Sequence, residues 1–191
     1  NLSSNLSPRF PSRIDFQNDA TRNSNGTAAL MASWGTSIGV VCVGGMLTTG
    51  DLDSNLNVQF SPAGQKGTTR FSIGVQDVFG TSAENNGAIQ KVIGGGNSMS
   101  PFAVATTDLG KGAFVSYGLG LKRFKGGFGS LSVPVGPVQG FIEYDTFNWN
   151  FGLTSRIWRE EMKLGEYERS AWVSAGVVRG KYLYWSLGIQ F

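Results

Sequence analysis

The chain has 191 residues with a net charge of +3, and it combines a low charged fraction of 15 % with 28 glycines. An average soluble domain carries about 25 % charged residues, and glycine in this quantity disfavours helices. The absence of histidine excludes Ser-His and Cys-His triads and His-ligated zinc sites. The single cysteine, Cys42, excludes an internal disulfide. The composition therefore predicts no enzyme, no metal site and no cofactor, and the scattered basic residues predict no nucleic-acid partner.

The first part of the chain, residues 1–26, is rich in Asn, Ser, Arg and Pro and has little periodicity. It is interpreted as a polar N-terminal tail, or as a segment that folds back or meets a protein partner. Residues 27–191 form the second predicted region. No apolar run approaches the roughly 18 residues of a transmembrane helix.

Alternating or apolar runs recur from about residue 27 onward, separated by Gly, Asn, Asp, Pro and Lys, and such runs are typical of β-strands. The clearest runs cover 36–46, 54–60, 69–79, 102–107, 113–124, 127–135 and 138–145, with a weaker one at 88–93. The sequence predicts an all-β fold of about ten antiparallel up-and-down strands. The range is eight to twelve, because regions 27–35 and 80–100 are ambiguous.

Two hairpins near the C-terminus can be paired by matching side chains. With residues 146–147 as a turn, Tyr144 faces Trp149 and Ile142 faces Phe151, so apolar residues meet apolar residues. Around the turn at 179–181, small residues meet large ones: Ala175 faces Trp185, Gly176 faces Tyr184 and Trp172 faces Gly188. The connection at 159–169 is charged and is predicted to form a helical turn or a solvated loop.

The last strand has an apolar side, and alternation makes its other side polar. The apolar side carries Leu183, Trp185, Leu187, Ile189 and Phe191. Alternation also fits a soluble β-sandwich. Aromatic residues near strand ends, the long strands and the terminal Phe favour a transmembrane β-barrel instead. The aromatic residues are Trp34, Phe79, Phe124, Tyr144, Phe147, Trp149, Trp158, Tyr182 and Phe191.

The segment 182–191 resembles the terminal strand that outer-membrane barrels present to their insertion machinery. The hairpin 140–153 is similar to one found in barrels linked to exopolysaccharide export and in small outer-membrane barrels of cyanobacterial type. The Ala-Ser-Trp-Gly stretch at 32–35 resembles the opening of the latter group. The resemblance covers about residues 30–191 and implies an outer-membrane location, the lipid bilayer and the insertion machinery as partners, and no reaction. It also implies that Phe191 is periplasmic, that the turns at 146–147 and 179–181 are extracellular, and that the longer 159–169 connection is periplasmic, which inverts the usual pattern of long outer loops.

If the apolar side faces lipid, the opposite side places polar residues inside the barrel. The predicted lumen network consists of Lys122, Glu143, Asp145, Asn148, Asn150, Arg156 and Tyr184, with Tyr182 and Gln190 on the same side. Glu143 and Asp145 are interpreted as partners of Lys122 and Arg156, since buried charges are kept in paired networks. The alternative, two acids acting in glycoside hydrolysis, is the weaker interpretation.

Three functions follow from this sequence. The first is an outer-membrane barrel acting as a narrow pore or passive porter for small polar solutes or sugars. The second is a non-conducting barrel that serves as a structural anchor or assembly subunit and meets a protein partner through residues 1–26 or 159–169. The third is a soluble β-sandwich binding module.

Overall fold

The computed structural model describes residues 27–48, 54–80, 98–146, 148–161, 168–178 and 182–190. Side chains at both ends of several strands, including those of Tyr182, Tyr184 and Ile189, lie outside the described part. Among the described residues, no helix is long and apolar enough to cross a membrane.

The described residues contain eleven β-strands and a short 3-10 helix. The strands are β1 (Thr27–Thr36), β2 (Gly39–Thr48), β3 (Ser54–Pro62), β4 (Thr69–Gln76), β5 (Ser100–Gly110), β6 (Ala113–Gly120), β7 (Phe128–Val135), β8 (Val138–Tyr144), β9 (Trp149–Glu161), β10 (Glu168–Val178) and β11 (Tyr182–Gln190), and the 3-10 helix is Lys122–Phe124. The number lies inside the predicted range. The ambiguous region 27–35 supplies β1, and the run at 88–93 lies outside the described residues.

All described strands belong to one antiparallel sheet, in which each strand pairs with the next along the chain, from β1 to β11. The predicted all-β, up-and-down fold is therefore confirmed. Within the described residues the sheet is open, with β1 and β11 as its edges.

The two predicted hairpin registers are confirmed residue by residue. On β8 and β9, Tyr144 pairs with Trp149 and Ile142 with Phe151. On β10 and β11, the pairs are Ala175 with Trp185, Gly176 with Tyr184, and Trp172 with Gly188. A shift of one residue would move every apolar side chain to the other face, so the alternation itself fixes the register.

Two predictions about local structure are wrong. The run 113–124 is not one strand, because β6 ends at Gly120 and the 3-10 helix Lys122–Phe124 follows it. The helical turn or loop predicted for 159–169 is wrong at both ends of that range, where the residues belong to β-strands. β9 continues to Glu161 and β10 starts at Glu168, with the backbone of Arg169 paired to that of Glu160, and residues 162–167 lie outside the described part of the chain.

The chain divides into two compact units. Unit 1 comprises residues 1–106 and 118–127, and therefore holds β1 to β4 with the adjoining halves of β5 and β6. Unit 2 comprises residues 107–117 and 128–191, and holds β7 to β11 with the tip of the β5–β6 hairpin. Each unit is described separately below.

Candidate functional site

In unit 2 the sheet exposes its apolar side chains. Leu183 and Trp185 on β11 are 87 % and 80 % exposed, and Leu153 on β9 is exposed in the same register row as Trp185. The side of the sheet that carries these residues is called the apolar face. Its other exposed members include Leu131, Ile142, Trp149, Phe151, Val173 and Leu187.

Unit 1 has the same organisation. Phe71 and Ile73 on β4 and Leu119 on β6 are exposed, together with Trp34 on β1. Trp34 pairs with Val41, Val41 with Phe60, and Phe60 with Ile73, so one apolar row crosses four strands. Unit 1 therefore has an apolar face of its own, over β1 to β4.

Aromatic residues lie exposed at the ends of strands, as predicted for Trp34, Trp149 and Trp158. The Tyr144 and Trp149 rings are 5.2 Å apart, and the Tyr144 hydroxyl donates to the Thr146 carbonyl oxygen at 2.8 Å. Phe124 departs from this pattern. It is 1 % exposed, so its assignment to an exposed aromatic belt is wrong.

The opposite side of the sheet, called the polar face, buries its polar residues. In unit 2, Ser174 is 0 % exposed and Asn150 is 1 % exposed. The Ser174 and Thr154 hydroxyl oxygens lie 2.9 Å apart. The Gln139 side-chain amide donates to the Ser132 hydroxyl at 2.8 Å. Buried polar groups are tolerated because they hydrogen-bond one another.

The polar face of unit 1 is built in the same way. The Ser61 and Ser72 hydroxyl oxygens lie 2.6 Å apart, and Gln59 and Gln76 are buried beside them on β3 and β4. The thiol of Cys42, which pairs with Gln59, lies 3.1 Å from the Ser33 hydroxyl oxygen. This agrees with the interpretation of Cys42 as a small packing residue.

A buried aspartate follows β4 and was not singled out by the sequence. Asp77 is fully buried, has φ of 55° and accepts a hydrogen bond from the Ser98 hydroxyl. Its backbone N–H donates to the Asn57 side-chain oxygen at 3.0 Å. Asp and Asn tolerate the left-handed region better than most residues. An Asp directly after an alternating run, here in Gln-Asp-Val, is therefore the sequence signal that could have pointed to this residue.

The residues of the predicted lumen network fall into three groups. Glu143 and Asn150 pair across β8 and β9, and the Asn150 side-chain amide donates to the Glu143 carbonyl oxygen at 3.5 Å. Asp145 and Asn148 form the turn that follows, where the Asn148 N–H donates to the Asp145 carboxylate at 2.8 Å. These four residues lie together in unit 2, and Asp145 and Asn150 are buried.

The remaining predicted residues are placed differently. Arg156 lies on the polar-face side of β9, in register with Trp172, but it is exposed. Lys122 belongs to the 3-10 helix, so its predicted place on a strand is wrong. Tyr184 pairs with Gly176 through the backbone, and its side chain lies outside the described residues.

The predicted insertion strand is β11. Leu183, Trp185 and Leu187 are exposed on the apolar face, and Ile189 pairs with Ala171 through the backbone. Phe191 lies outside the described residues. Within the part of the chain that the structure describes, no group of three or more His, Cys, Asp or Glu residues could hold a metal ion.

Phenylalanine rings cover glycines on neighbouring strands at two points of the polar face. A Cβ added to Gly152 would lie 2.6 Å from the Phe141 ring, and one added to Gly74 would lie 2.5 Å from the Phe102 ring. These glycines allow a ring to lie flat against the adjacent strand. The glycine content thus has a packing role in the sheet.

Comparisons of this chain with protein-family models, with curated proteins and with solved structures find no match. The geometry of the two faces is therefore the basis for the functional assignment.

Proposed function

We propose that this chain is an integral outer-membrane β-barrel whose polar face encloses a narrow passage for small polar solutes or sugars. The observation that supports the proposal is the inverted burial of the two faces. Leucine and tryptophan are exposed on one face while serine, threonine, asparagine and glutamine are buried on the other.

Water is a poor solvent for the apolar face. Leaving apolar surface in water costs roughly 25 cal/mol per Å², and soluble monomers rarely expose contiguous apolar patches larger than a few hundred Å². Hydrocarbon tails would cover this surface at no such cost. A β-sandwich would cover it with a second sheet, but all strands in the described part of the chain belong to a single sheet.

The lengths of the connections agree with the orientation implied by the outer-membrane resemblance. Strand alternation places 77–99, the longest connection between described strands, at the same end as the 145–148 and 179–181 turns. The β9–β10 connection at the other end spans only 162–167. Long extracellular loops are usual in such barrels, so the expected inversion of the loop pattern disappears.

The proposal includes closure of the sheet. Since successive strands alternate in direction, β1 and β11 run the same way, and direct closure requires one parallel pair. Single-chain bacterial barrels have an even number of strands, whereas a mitochondrial barrel with an odd number is known. This is a departure from the bacterial pattern.

A second candidate, favoured by one observation, is a non-conducting barrel that acts as an anchor or assembly subunit. The polar face is occupied by hydroxyl pairs such as Thr154 with Ser174 and Ser61 with Ser72. Side chains that bond one another can fill an interior instead of lining a water path. In that case a protein partner would meet residues 1–26 or 159–169.

The test has two stages. The purified protein is first assayed for a detergent requirement and for a shift in gel mobility on boiling, which closed membrane barrels show. It is then inserted into planar lipid bilayers. We expect stepwise conductance and faster passage of small sugars than of large ones. Solubility without detergent would contradict the membrane assignment, and stable insertion without conductance would favour the anchor.

A further inference from the structure

The polar face of unit 1 contains an apolar cluster that its surroundings do not predict. Phe102 and Val104 on β5 are buried, and Phe124 from the 3-10 helix is buried with its ring against Phe102. The Phe102 and Phe124 rings are 5.1 Å apart with an interplanar angle of 64°, an edge-to-face arrangement. Ser72 and Gln76 on β4 and Thr106 on β5 are buried on the same face.

A tight turn separates β6 from Phe124. Leu121 is still exposed on the apolar side, and its N–H donates to the Pro101 carbonyl oxygen at 2.9 Å. Lys122 then adopts φ of 51°, in the left-handed region that is unfavourable for lysine. The Phe124 N–H closes the turn on the Leu121 carbonyl oxygen at 3.0 Å. After this turn the Phe124 side chain is buried, with its ring against that of Phe102.

Two glycines make room for the cluster. A Cβ on Gly74 would lie 2.5 Å from the Phe102 ring. A Cβ on Gly120 would lie 2.8 Å from the Phe124 Cβ and 2.4 Å from the Pro101 carbonyl oxygen. The glycines let both side chains lie close against the strands, so the rings cover the polar face from β4 to β6.

We propose that Phe102 and Phe124 form an apolar constriction in the passage, which limits the flow of hydrated ions and sets the size of the solute that passes. This inference rests on the proposed pore. An apolar constriction resists ions because water leaves it readily and the ion cannot shed its hydration shell there. Small neutral polar solutes, whose desolvation is cheaper than that of ions, are the substrate class that such a barrier admits.

The experiment compares single-channel conductance and sugar uptake into liposomes for wild type, Phe102→Ala, Phe124→Ala and the double variant. The matched control is Phe71→Ala, the same substitution on the apolar face of β4. We expect a severalfold gain in ion conductance for Phe124→Ala and a larger gain for the double variant. Phe71→Ala should conduct like wild type. Phe124→Trp keeps a large aromatic side chain at this position, so its conductance should not exceed that of wild type.

Assembly is checked for every variant by the gel shift on boiling, so a loss of folding is not read as a closed pore. If Phe102→Ala and Phe124→Ala both insert and conduct like wild type, the proposed constriction is contradicted, while the proposed pore is not. If wild type shows no conductance and Phe124→Ala opens it, the constriction is supported, and sugar uptake by wild type then distinguishes the pore from the non-conducting anchor. If neither wild type nor any variant requires detergent, the proposed membrane function itself is contradicted.

Discussion

The two faces of β10 are opposite in chemistry and in exposure although their residues alternate along one strand. Val173 and Ala175 are exposed, and the intervening Ser174 is completely buried with its hydroxyl 2.9 Å from that of Thr154. In a soluble sheet the apolar residues would be buried and the serine exposed. This difference is the observation on which the proposed lipid-facing role of the apolar face rests.

The first prediction places a charge on the apolar face. Leu153→Arg, in the middle of β9, should destabilise the lipid-inserted protein by about 2–4 kcal/mol, because the side chain would face hydrocarbon. The measurement is chemical unfolding from lipid vesicles. Trp149→Arg is the control: Trp149 is also exposed but is the first residue of β9, where the penalty falls to about 0–1 kcal/mol. Equal, small effects at both positions would contradict the assignment of this face to lipid.

The second prediction addresses the packing of the polar face. Gly152→Val should destabilise the protein by about 1–3 kcal/mol, as over-packing of a close contact does. The added Cβ would meet the Phe141 ring at 2.6 Å and the Ala175 carbonyl oxygen at 2.8 Å. Unfolding midpoints in the same vesicles provide the measurement.

Two further variants test the origin of that cost. In a Phe141→Ala background, Gly152→Val should cost less stability than it does in wild type, since the ring no longer clashes while the backbone contact remains. Gly35→Ala is the control, because nothing lies within 4 Å of a Cβ there. An equal cost of Gly152→Val in both backgrounds would show that the ring is not what the glycine accommodates.

The third and smallest effect concerns the hydroxyl pair of the polar face. Thr154→Val removes one partner of Ser174 with little change in shape, and a typical hydrogen bond contributes about 0.5–1.5 kcal/mol. A double-mutant cycle with Ser174→Ala isolates the coupling between the two positions. A coupling energy near zero would mean that the pair does not stabilise the polar face.

Much of the fold could be predicted because alternation carries most of the information. The β8–β9 and β10–β11 registers follow from matching apolar to apolar and small to large residues, as in the pair Ala175 and Trp185. The first strand was ambiguous because Ala28, Ala29 and Ala32 give a weak contrast between its sides. Strand ends are set by backbone pairing, which the pattern does not report, so β5 extends beyond the predicted 102–107.

The pair of Phe102 and Phe124, the proposed constriction, could not be predicted for a conformational reason. Lysine rarely adopts positive φ, so nothing at Lys122 marks a reversal. The sequence did carry a weaker signal. If β6 is extended by simple alternation, Arg123 falls on the apolar side and Phe124 on the polar side. The buried Asp77 was also missed, since a polar residue after a strand is usually a surface turn residue.

The most direct test of the central claim uses two tryptophans of the β10–β11 hairpin. Trp185 is on the apolar face, and Trp172 pairs with Gly188 on the polar-face side. Single-tryptophan variants, with the other four replaced by Phe, are placed in vesicles whose acyl chains carry bromine. The account predicts strong fluorescence quenching of Trp185 and weak quenching of Trp172. Equal quenching of the two, or no quenching of Trp185, would contradict it.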